Sequence, residues 1–324
     1  MAKLFISFLT FTVALASCGG VLAFSSSSPA GSPRDPFPPA MLMPWFCTTA
    51  CGYNMSQIMD HVHQAVDLAT HDASILNTVA YEWYSLGPNS TLVVDLGMFD
   101  LNYHILKNDT LTALFPRRFA LVSTNSSSTH QFIEWMRQLF ETPEPFVSAV
   151  VDDVVARNIT GLNIDFEPTS NNITNEDAAN FATFLNLLRQ RLEVHNKVLT
   201  IAGATWSPIW NLTLIAQALS GSEDSNVNST IGYFTSMNTY AKKDEAFQRE
   251  LNRNIEQFGT YGSLKSLVVG LETWPTKITP EELDNHFELL AQHNVCRIAI
   301  WDMPLTPAML PHLKNLSHRC THKE

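Results

Sequence analysis

The chain has 324 residues and a formal net charge of −11, and it contains no run of Lys or Arg. Because contacts to phosphate need clustered positive charge, this composition argues against a nucleic-acid partner. The eleven His show no spacing typical of metal ligands, so we expect neither a metal nor another cofactor.

Residues 1–23 are predicted to form a signal peptide. Lys3 precedes the apolar run "LFISFLTFTVALA", which is too short to span a bilayer, and the small residue Ala23 closes the segment. Bacterial lipidation at Cys18, in "LASC", is the alternative. Residues 24–39 are rich in Ser and Pro and are typical of a flexible lead-in, and no later segment predicts a membrane span. We therefore expect a protein that is secreted or delivered to a lysosomal or vacuolar lumen.

Sequons for N-glycosylation, of the form Asn-x-Ser/Thr, are spread along the whole chain. Their Asn residues are Asn54, Asn89, Asn108, Asn125, Asn158, Asn172, Asn211, Asn228 and Asn315. One such short motif has little weight, but nine at even spacing predict a glycoprotein of the secretory pathway.

Cysteine usage also fits an oxidising compartment. If Cys18 leaves with the signal peptide, four cysteines remain, and four cysteines allow three disulfide connectivities. The alternative is four free thiols, which is less common outside the cytosol. The remaining cysteines are Cys47, Cys51, Cys296 and Cys320.

From Met41 onward, short β-branched or aromatic runs alternate with longer segments of helical period. The predicted strands are "MLMPWF", one or both of "LNTVAYEWY" and "STLVVDLGM", "FALVST", "GLNIDFE", "VLTIAGATW", "GYFTSMNTY", "SLVVGLETW" and "CRIAIWDM". The predicted helices are "SQIMDHVHQAVDLAT", "HQFIEWMRQLF", "FVSAVVDDVVARN", "NEDAANFATFLNLLRQRLEVH", "NLTLIAQALS", "DEAFQRELNRNIEQFG", "TPEELDNHFELLAQHN" and "TPAMLPHLKNLS". One helix start is explicit, because Thr279 can cap a first turn that begins with Pro280.

Strands that alternate with helices predict parallel pairing through right-handed crossovers. About eight such units in residues 40–324 favour an α/β fold of the closed (β/α)8 TIM-barrel type, as a single domain and a monomer. An open doubly wound sheet is the alternative, but no Gly-rich phosphate loop follows the first strand.

The stretch "TGLNIDFEP", residues 160–168, alternates polar and apolar side chains with a period of two. Its polar side chains are Asn163, Asp165 and Glu167. In a barrel these point to the axis, where burial costs several kcal/mol unless the groups are paired or functional. The alternative is a solvent-facing strand of an antiparallel sheet. Since barrel enzymes act at the carboxyl ends of their strands, the stretch is a candidate catalytic strand.

This strand resembles the fourth strand of glycoside hydrolase family 18, which comprises the chitinases and their relatives. The family pattern D-G-x-D-x-D-x-E is matched by "TGLNIDFE" at residues 160–167. The strand-six motif M-x-Y-D is echoed by "MNTY" at 237–240, with Tyr240 one place late and no Asp, and the strand-eight Trp matches Trp301. Without room for a large inserted α+β domain, the chain is similar to the short chitobiases and endo-N-acetylglucosaminidases.

The resemblance implies a glycosidase in which the substrate's own N-acetyl oxygen is the nucleophile. Glu167 would be the general acid, and Asp165 would orient the acetamido group and stabilise the oxazolinium ion. Asn163 would hydrogen-bond Asp165, and Tyr240 would supply a hydroxyl. The substrate would be a glycan with β-linked N-acetylglucosamine, such as a chitin oligomer or an N-glycan core.

Two departures from the family pattern lie in the same strand. Thr160 replaces the first Asp of the pattern, and Pro168 replaces the aromatic residue that often follows the Glu.

Aromatic residues at strand ends support a sugar site, because flat rings offer apolar faces to pyranose C–H groups. Trp206, Trp274 and Trp301 end predicted strands, whereas Trp135 and Trp45 are assigned to core packing. The remaining candidate substrate-binding residues, from the strand-six motif, are Met237 and Asn238.

Two other functions remain open. Retaining glycosidases with two catalytic Glu carry them at the ends of strands four and seven, the places of Glu167 and Glu272, although Phe166 stands where that clan has Asn. A third hypothesis is a non-catalytic glycan-binding lectin.

In a barrel, the cysteines fall into two pairs. Cys296 begins the last strand and Cys320 follows the last helix, so both are expected near the amino-terminal face. Cys47 and Cys51 flank a short turn after the first strand. We therefore predict the disulfides Cys47–Cys51 and Cys296–Cys320.

Overall fold

The computed structural model describes residues 40–47, 51–71, 76–94, 115, 117–124, 126–169, 172–220, 232–261, 264–273 and 278–321. The predicted signal peptide, the lead-in and Cys18 lie outside these ranges, as do Trp274 and the sequon residues Asn108, Asn125 and Asn228. None of the helices in the described ranges has the length and apolarity to cross a membrane.

Eight parallel strands form a closed barrel, as the alternating pattern predicted. In chain order they are β1 (Met41–Phe46), β2 (Thr78–Leu86), β4 (Arg117–Thr124), β5 (Gly161–Ile164), β6 (Val198–Gly203), β7 (Tyr233–Ser236), β8 (Leu267–Glu272) and β9 (Arg297–Trp301). Each strand pairs with its neighbour in this series, and β9 pairs with β1 to close the barrel. The short β3 (Leu92–Val94), from the predicted "STLVVDLGM", pairs antiparallel with β2 and is not a barrel strand.

Helices follow the barrel strands and cover them. They are α1 (Met55–His71), α2 (Thr129–Glu141), α3 (Glu144–Ala156), α4 (Asn175–Glu193), α5 (Leu212–Ser220), α6 (Asp244–Tyr261), α7 (Pro280–Gln292) and α8 (Met309–Thr321). The predicted start of α7 is confirmed, because Thr279 Oγ1 accepts a hydrogen bond from the Glu282 N–H and Glu282 Oε2 accepts one from the Thr279 N–H. Residues 273–296, which join β8 to β9, contain α7 and leave no room for an inserted domain.

The core lies between the barrel and these helices. Phe166, at the end of the candidate catalytic stretch, is fully buried and packs edge-on against Phe132 of α2 and beside Phe181 of α4. Full burial of such a ring contributes roughly 1.5–3 kcal/mol. Leu162 and Ile164 are equally buried, so the apolar face of the stretch faces the helices as its alternation predicted.

Both predicted disulfides are present. Cys47–Cys51 spans the turn after β1, at the carboxyl-terminal end of the barrel. Cys296–Cys320 joins the residue before β9 to the last turn of α8, so Cys320 lies within the helix rather than after it.

Candidate active site

The strand that carries the candidate acid is shorter than predicted. β5 ends at Ile164, but the Asp165 N–H still bonds the Val122 carbonyl of β4 at 2.9 Å, so the alternation continues beyond the strand. Asn163 is completely buried, Asp165 is half-buried, and Glu167 is exposed to solvent. The solvent exposure of these polar side chains therefore increases from the barrel interior to its open end.

Asn163 has a different partner from the one expected. Its Nδ2 donates to Thr200 Oγ1 on β6 at 2.7 Å, and Thr200 Oγ1 in turn donates to the Leu162 carbonyl at 3.0 Å. One of the two N–H donors of the Asn163 amide is thus used by Thr200. Asn163 therefore links β5 to β6 by a side-chain hydrogen bond. As a neutral amide, it cannot take up a proton as a carboxylate would.

Asp165 and Glu167 form a hydrogen-bonded carboxyl pair. Burial, the charge of Glu167 and the hydrogen bond to it all raise the pKa of Asp165 well above its usual range. Although the Glu167 side chain reaches solvent, the surrounding protein partly removes its carboxyl from water and raises its pKa, whereas the bond from Asp165 lowers it. The pair therefore retains a proton to a higher pH than two isolated carboxyls would.

A cavity of about 260 Å³ opens at this end of the barrel. Its lining residues are Trp45, Asp165, Glu167, Ala202, Trp206, Met237, Tyr240, Glu272 and Trp301. It brings together most of the predicted site residues, and among the described residues it is lined by no Lys, Arg or His. The cavity is therefore acidic and aromatic, which suits a neutral sugar better than an anionic one.

Tyr240 reaches the cavity from a turn rather than from a strand. β7 ends at Ser236, and the Tyr240 N–H bonds the Met237 carbonyl, which closes the turn. Gly270 makes room for the ring, because a Cβ at that position would lie 2.6 Å from Tyr240 Cε1. Burial, followed by the charges of the surrounding carboxyls, raises the pKa of Tyr240 well above its usual range, so its hydroxyl remains a donor.

Two further carboxyls, which the sequence analysis missed, lie behind the cavity wall. Glu82 occupies the same cross-strand row as Asn163, and its charge raises the pKa of Asp165. Asp302 is completely buried, and burial, with added effects of Glu82 and Glu272, raises its pKa to about 7. Neither Asp302 oxygen has a partner within hydrogen-bonding distance, although Tyr53 is near enough to lower this pKa. The available signals were the period of two along β2 and the position of Asp302 directly after Trp301.

Aromatic side chains form two parts of the cavity wall. Trp301 meets Trp45 edge to face with ring centroids 6.1 Å apart, so Trp45 belongs to both the core and the cavity. Trp206 lines the other part of the wall. Asn238, expected to bind substrate, uses its Oδ1 to accept hydrogen bonds from Thr205, and it does not line the cavity.

One group of potential metal ligands lies near this site. Cys47, Cys51 and Asp302 bring ligand atoms within 4.8 Å of one another, but the two sulfurs form a disulfide. Zinc and similar ions bind thiolate sulfur, so this group does not offer the required ligands.

Comparisons with known proteins support the fold. No family model matches the chain, and no curated protein matches it in sequence. A chitinase from Chromobacterium violaceum is similar in structure with a TM-score of 0.61 at 11% identity, over 86% of this chain and 98% of that one. The Ostrinia furnacalis Group II chitinase catalytic domain 2 gives 0.63 at 11% identity, over 88% and 97%. The Bacillus cereus spore cortex-lytic enzyme SleL gives 0.61 at 10% identity, over 90% and 75%. The chain therefore has the (β/α)8 barrel fold of chitinases and related enzymes, as the resemblance of its fourth barrel strand predicted.

Proposed function

We propose that the protein is a glycoside hydrolase that cleaves glycans with β-linked N-acetylglucosamine, with retention and with the substrate's N-acetyl group as nucleophile. The observation that carries this proposal is that Asp165 and Glu167 lie together in the wall of an open, aromatic cavity. The chitinases among the structurally similar proteins support the substrate class. Substrate assistance needs only one enzyme acid, and Glu167 is the exposed member of the pair.

The shared proton gives each member of the pair a role. When the substrate binds, the proton passes along the hydrogen bond from Asp165 to Glu167. Glu167 then donates it to the glycosidic oxygen as the C1–O bond breaks and the N-acetyl oxygen bonds to C1. Asp165, now a carboxylate, accepts the acetamido N–H and stabilises the positive oxazolinium ion. Water next opens this ion and returns its proton to Glu167.

Tyr240 replaces the missing strand-six Asp functionally in this proposal. Its high pKa keeps the hydroxyl protonated beside four carboxyls, so it can donate to the N-acetyl oxygen and hold it in line with C1. Trp301 and Met237 offer apolar surface to the ring of the reacting sugar. Asn163 contributes by fixing β5 against β6.

The two-Glu retaining mechanism is the second candidate, since Glu272 lines the same cavity as Glu167. That mechanism requires the two carboxyls to be about 5–5.5 Å apart, so each charge would act on the other. In that clan an Asn precedes the strand-four Glu, whereas Phe166 precedes Glu167 in this chain. This departure favours substrate assistance.

We further propose a secreted or lumenal monomeric glycoprotein, with residues 1–23 as its signal peptide, residues 24–39 as its lead-in and residues 40–324 as its barrel domain. The sequon residues within the described ranges all carry exposed side chains, as glycan attachment requires. They are Asn54, Asn89, Asn158, Asn172, Asn211 and Asn315. Two disulfides suit such an oxidising compartment.

The test is product formation by the purified protein across acidic and neutral pH. Chitotetraose or an N-glycan core should be hydrolysed, and GlcNAc-thiazoline, a stable mimic of the oxazolinium intermediate, should inhibit. Cellotetraose, which lacks the N-acetyl nucleophile, is the matched negative substrate. Equal turnover of chitotetraose and cellotetraose would exclude substrate assistance. Calorimetric binding of chitotetraose without any product on long incubation would indicate the lectin instead.

A further inference from the structure

A second cavity, of about 260 Å³, lies at the amino-terminal end of the barrel. Leu267 and Arg297, the first residues of β8 and β9, line it, whereas Glu167 lies beyond the carboxyl-terminal end of β5. Because the strands are parallel, the two cavities are at opposite ends of the barrel. Pockets for drug-sized ligands usually measure about 300–1,000 Å³, so this cavity suits a smaller ligand.

The polar part of this cavity is rich in positive charge. Lys265 and Arg297 line it, His293 adds a further N–H donor, and no Asp or Glu lines it among the described residues. This grouping stands out in a chain in which Asp and Glu outnumber Lys and Arg by 31 to 20. The catalytic cavity has the reverse character, since carboxyls line it and Lys, Arg and His do not. The two ends of the barrel therefore suit ligands of different charge.

Arg297 is held in place by the barrel itself. Its side chain is only 8% exposed, and its guanidinium lies over the ring of Tyr233, the first residue of β7, at 5.6 Å from the ring centroid. A guanidinium offers its N–H donors in a rigid fork that matches the oxygens of phosphate and sulfate. Lys265 is exposed on the short 3₁₀ helix Leu264–Ser266 before β8, and it adds a point charge on a flexible stem.

The loop between α7 and β9 is also fixed, and it does not oppose an anion. A helix carries partial negative charge at its carboxyl-terminal end, where carbonyls lack partners. Here three of the last carbonyls of α7 accept the N–H groups of His293, Asn294 and Val295, at 3.1, 3.1 and 2.9 Å. Asn294 takes the left-handed conformation, with φ of 55°, that closes such a turn. The disulfide Cys296–Cys320 then ties the end of the loop to α8.

We propose that this cavity binds a tetrahedral oxyanion, a phosphate or sulfate group, between Lys265, His293 and Arg297. The free ion and an ester of a small sugar offer the same charged group. The apolar part of the wall, which includes Ile255 and Leu267, offers surface to the sugar ring of an ester. This site is separate from the catalytic cavity, and its existence does not depend on the proposed function.

Calorimetry with the purified protein tests the proposal with glucose 6-phosphate, inorganic phosphate and glucose, none of which contains a glycosidic bond. Glucose 6-phosphate should bind, and its affinity should fall as NaCl is added, because salt screens the attraction. Glucose has the same ring without the charge and should not bind. Tighter binding of glucose 6-phosphate than of inorganic phosphate would identify a sugar ester as the ligand, whereas equal affinities would identify the free ion.

Variants place the binding in this cavity. Lys265→Glu should weaken glucose 6-phosphate binding about tenfold or more, because it replaces an attractive charge by a repulsive one. Lys242→Glu makes the same charge change at an exposed position outside the cavity and should bind as the wild type does. Arg297→Lys retains the charge but loses the fork, so it should also bind more weakly while circular dichroism shows the native fold.

Two results would overturn the proposal. One is that the wild type binds neither glucose 6-phosphate nor inorganic phosphate. The other is that Lys265→Glu binds them as tightly as the wild type, since the exposed position of Lys265 makes this variant unlikely to disturb the fold.

Discussion

Asp302→Asn is expected to change how the stability of the protein depends on pH. Asp302 is completely buried, and burial is the main cause that raises its pKa to about 7, against about 3.9 in an unfolded chain. Between these values the folded state binds a proton that the unfolded state releases. The contribution of Asp302 to the free energy of unfolding should therefore be most favourable below about pH 4. It should fall as the pH rises from about 4 to about 7.

The size of this effect follows from the shift. Three pKa units correspond to about 4 kcal/mol, which is a large part of the stability of an ordinary domain. Asn has nearly the same shape as Asp and stays neutral, so the variant should not lose stability as the pH rises. At pH 8 we expect Asp302→Asn to be several kcal/mol more stable than the wild type and to melt roughly 10 °C higher.

Urea unfolding at pH values from 4 to 8, followed by circular dichroism, measures how steeply the free energy of unfolding changes with pH. Asp152→Asn is the matched control, because it removes one negative charge from the exposed surface of α3 without touching the cavity. If Asp302→Asn retains the wild-type slope, Asp302 is not the group that titrates. The lowered pKa values of His61 and His286 make stability rise with pH in this range, but both proteins share this effect. A stability difference between Asp302→Asn and the wild type that does not grow between pH 4 and 7 would therefore contradict the reasoning.

Three further predictions concern the site and its frame. Asp165→Ala should lower kcat far more than it weakens calorimetric binding of chitotetraose, since the ion that Asp165 stabilises exists only near the transition state; an equal loss of both would contradict this role. Gly270→Ala should lower both stability and activity, because the added Cβ would clash with the Ser236 carbonyl of β7 and with the Tyr240 ring; we expect an overpacking cost of about 1–3 kcal/mol or more in urea unfolding, and unchanged stability with full activity would argue against the close approach. Cys296→Ser should cost about 3 kcal/mol in the same measurement, because the bridge to Cys320 closes 24 residues; no loss would show that the bridge does not form.

The alternation of strands and helices was predictable from sequence because it depends on local periodicity. Helix starts such as Thr279 and the two faces of the stretch around Asp165 are set by residues near in the chain. The same logic predicted both disulfides, since the barrel fixes which strand ends share a face.

The structure differs from the sequence prediction where distant residues decide the outcome. Asn163 bonds Thr200 because neighbouring strands place the two side chains opposite each other, a register that the local pattern does not contain. Tyr240 reaches the cavity through a turn after β7 and the space at Gly270. Glu82 lies on β2 and Asp302 directly follows β9, far away in sequence, so their electrostatic coupling exists only in the closed barrel.

The central claim is that Glu167 alone supplies the catalytic proton, and chitotetraose hydrolysis by Glu167→Gln beside Glu272→Gln tests it most directly. The amide at position 167 has the volume of the acid but no proton to donate, so kcat should fall by roughly 10²- to 10⁴-fold while the fold, monitored by circular dichroism, is unchanged. Glu272→Gln should retain most of the activity. Near-wild-type turnover by Glu167→Gln would contradict the account, and so would a Glu272→Gln variant that is equally inactive and is restored by azide.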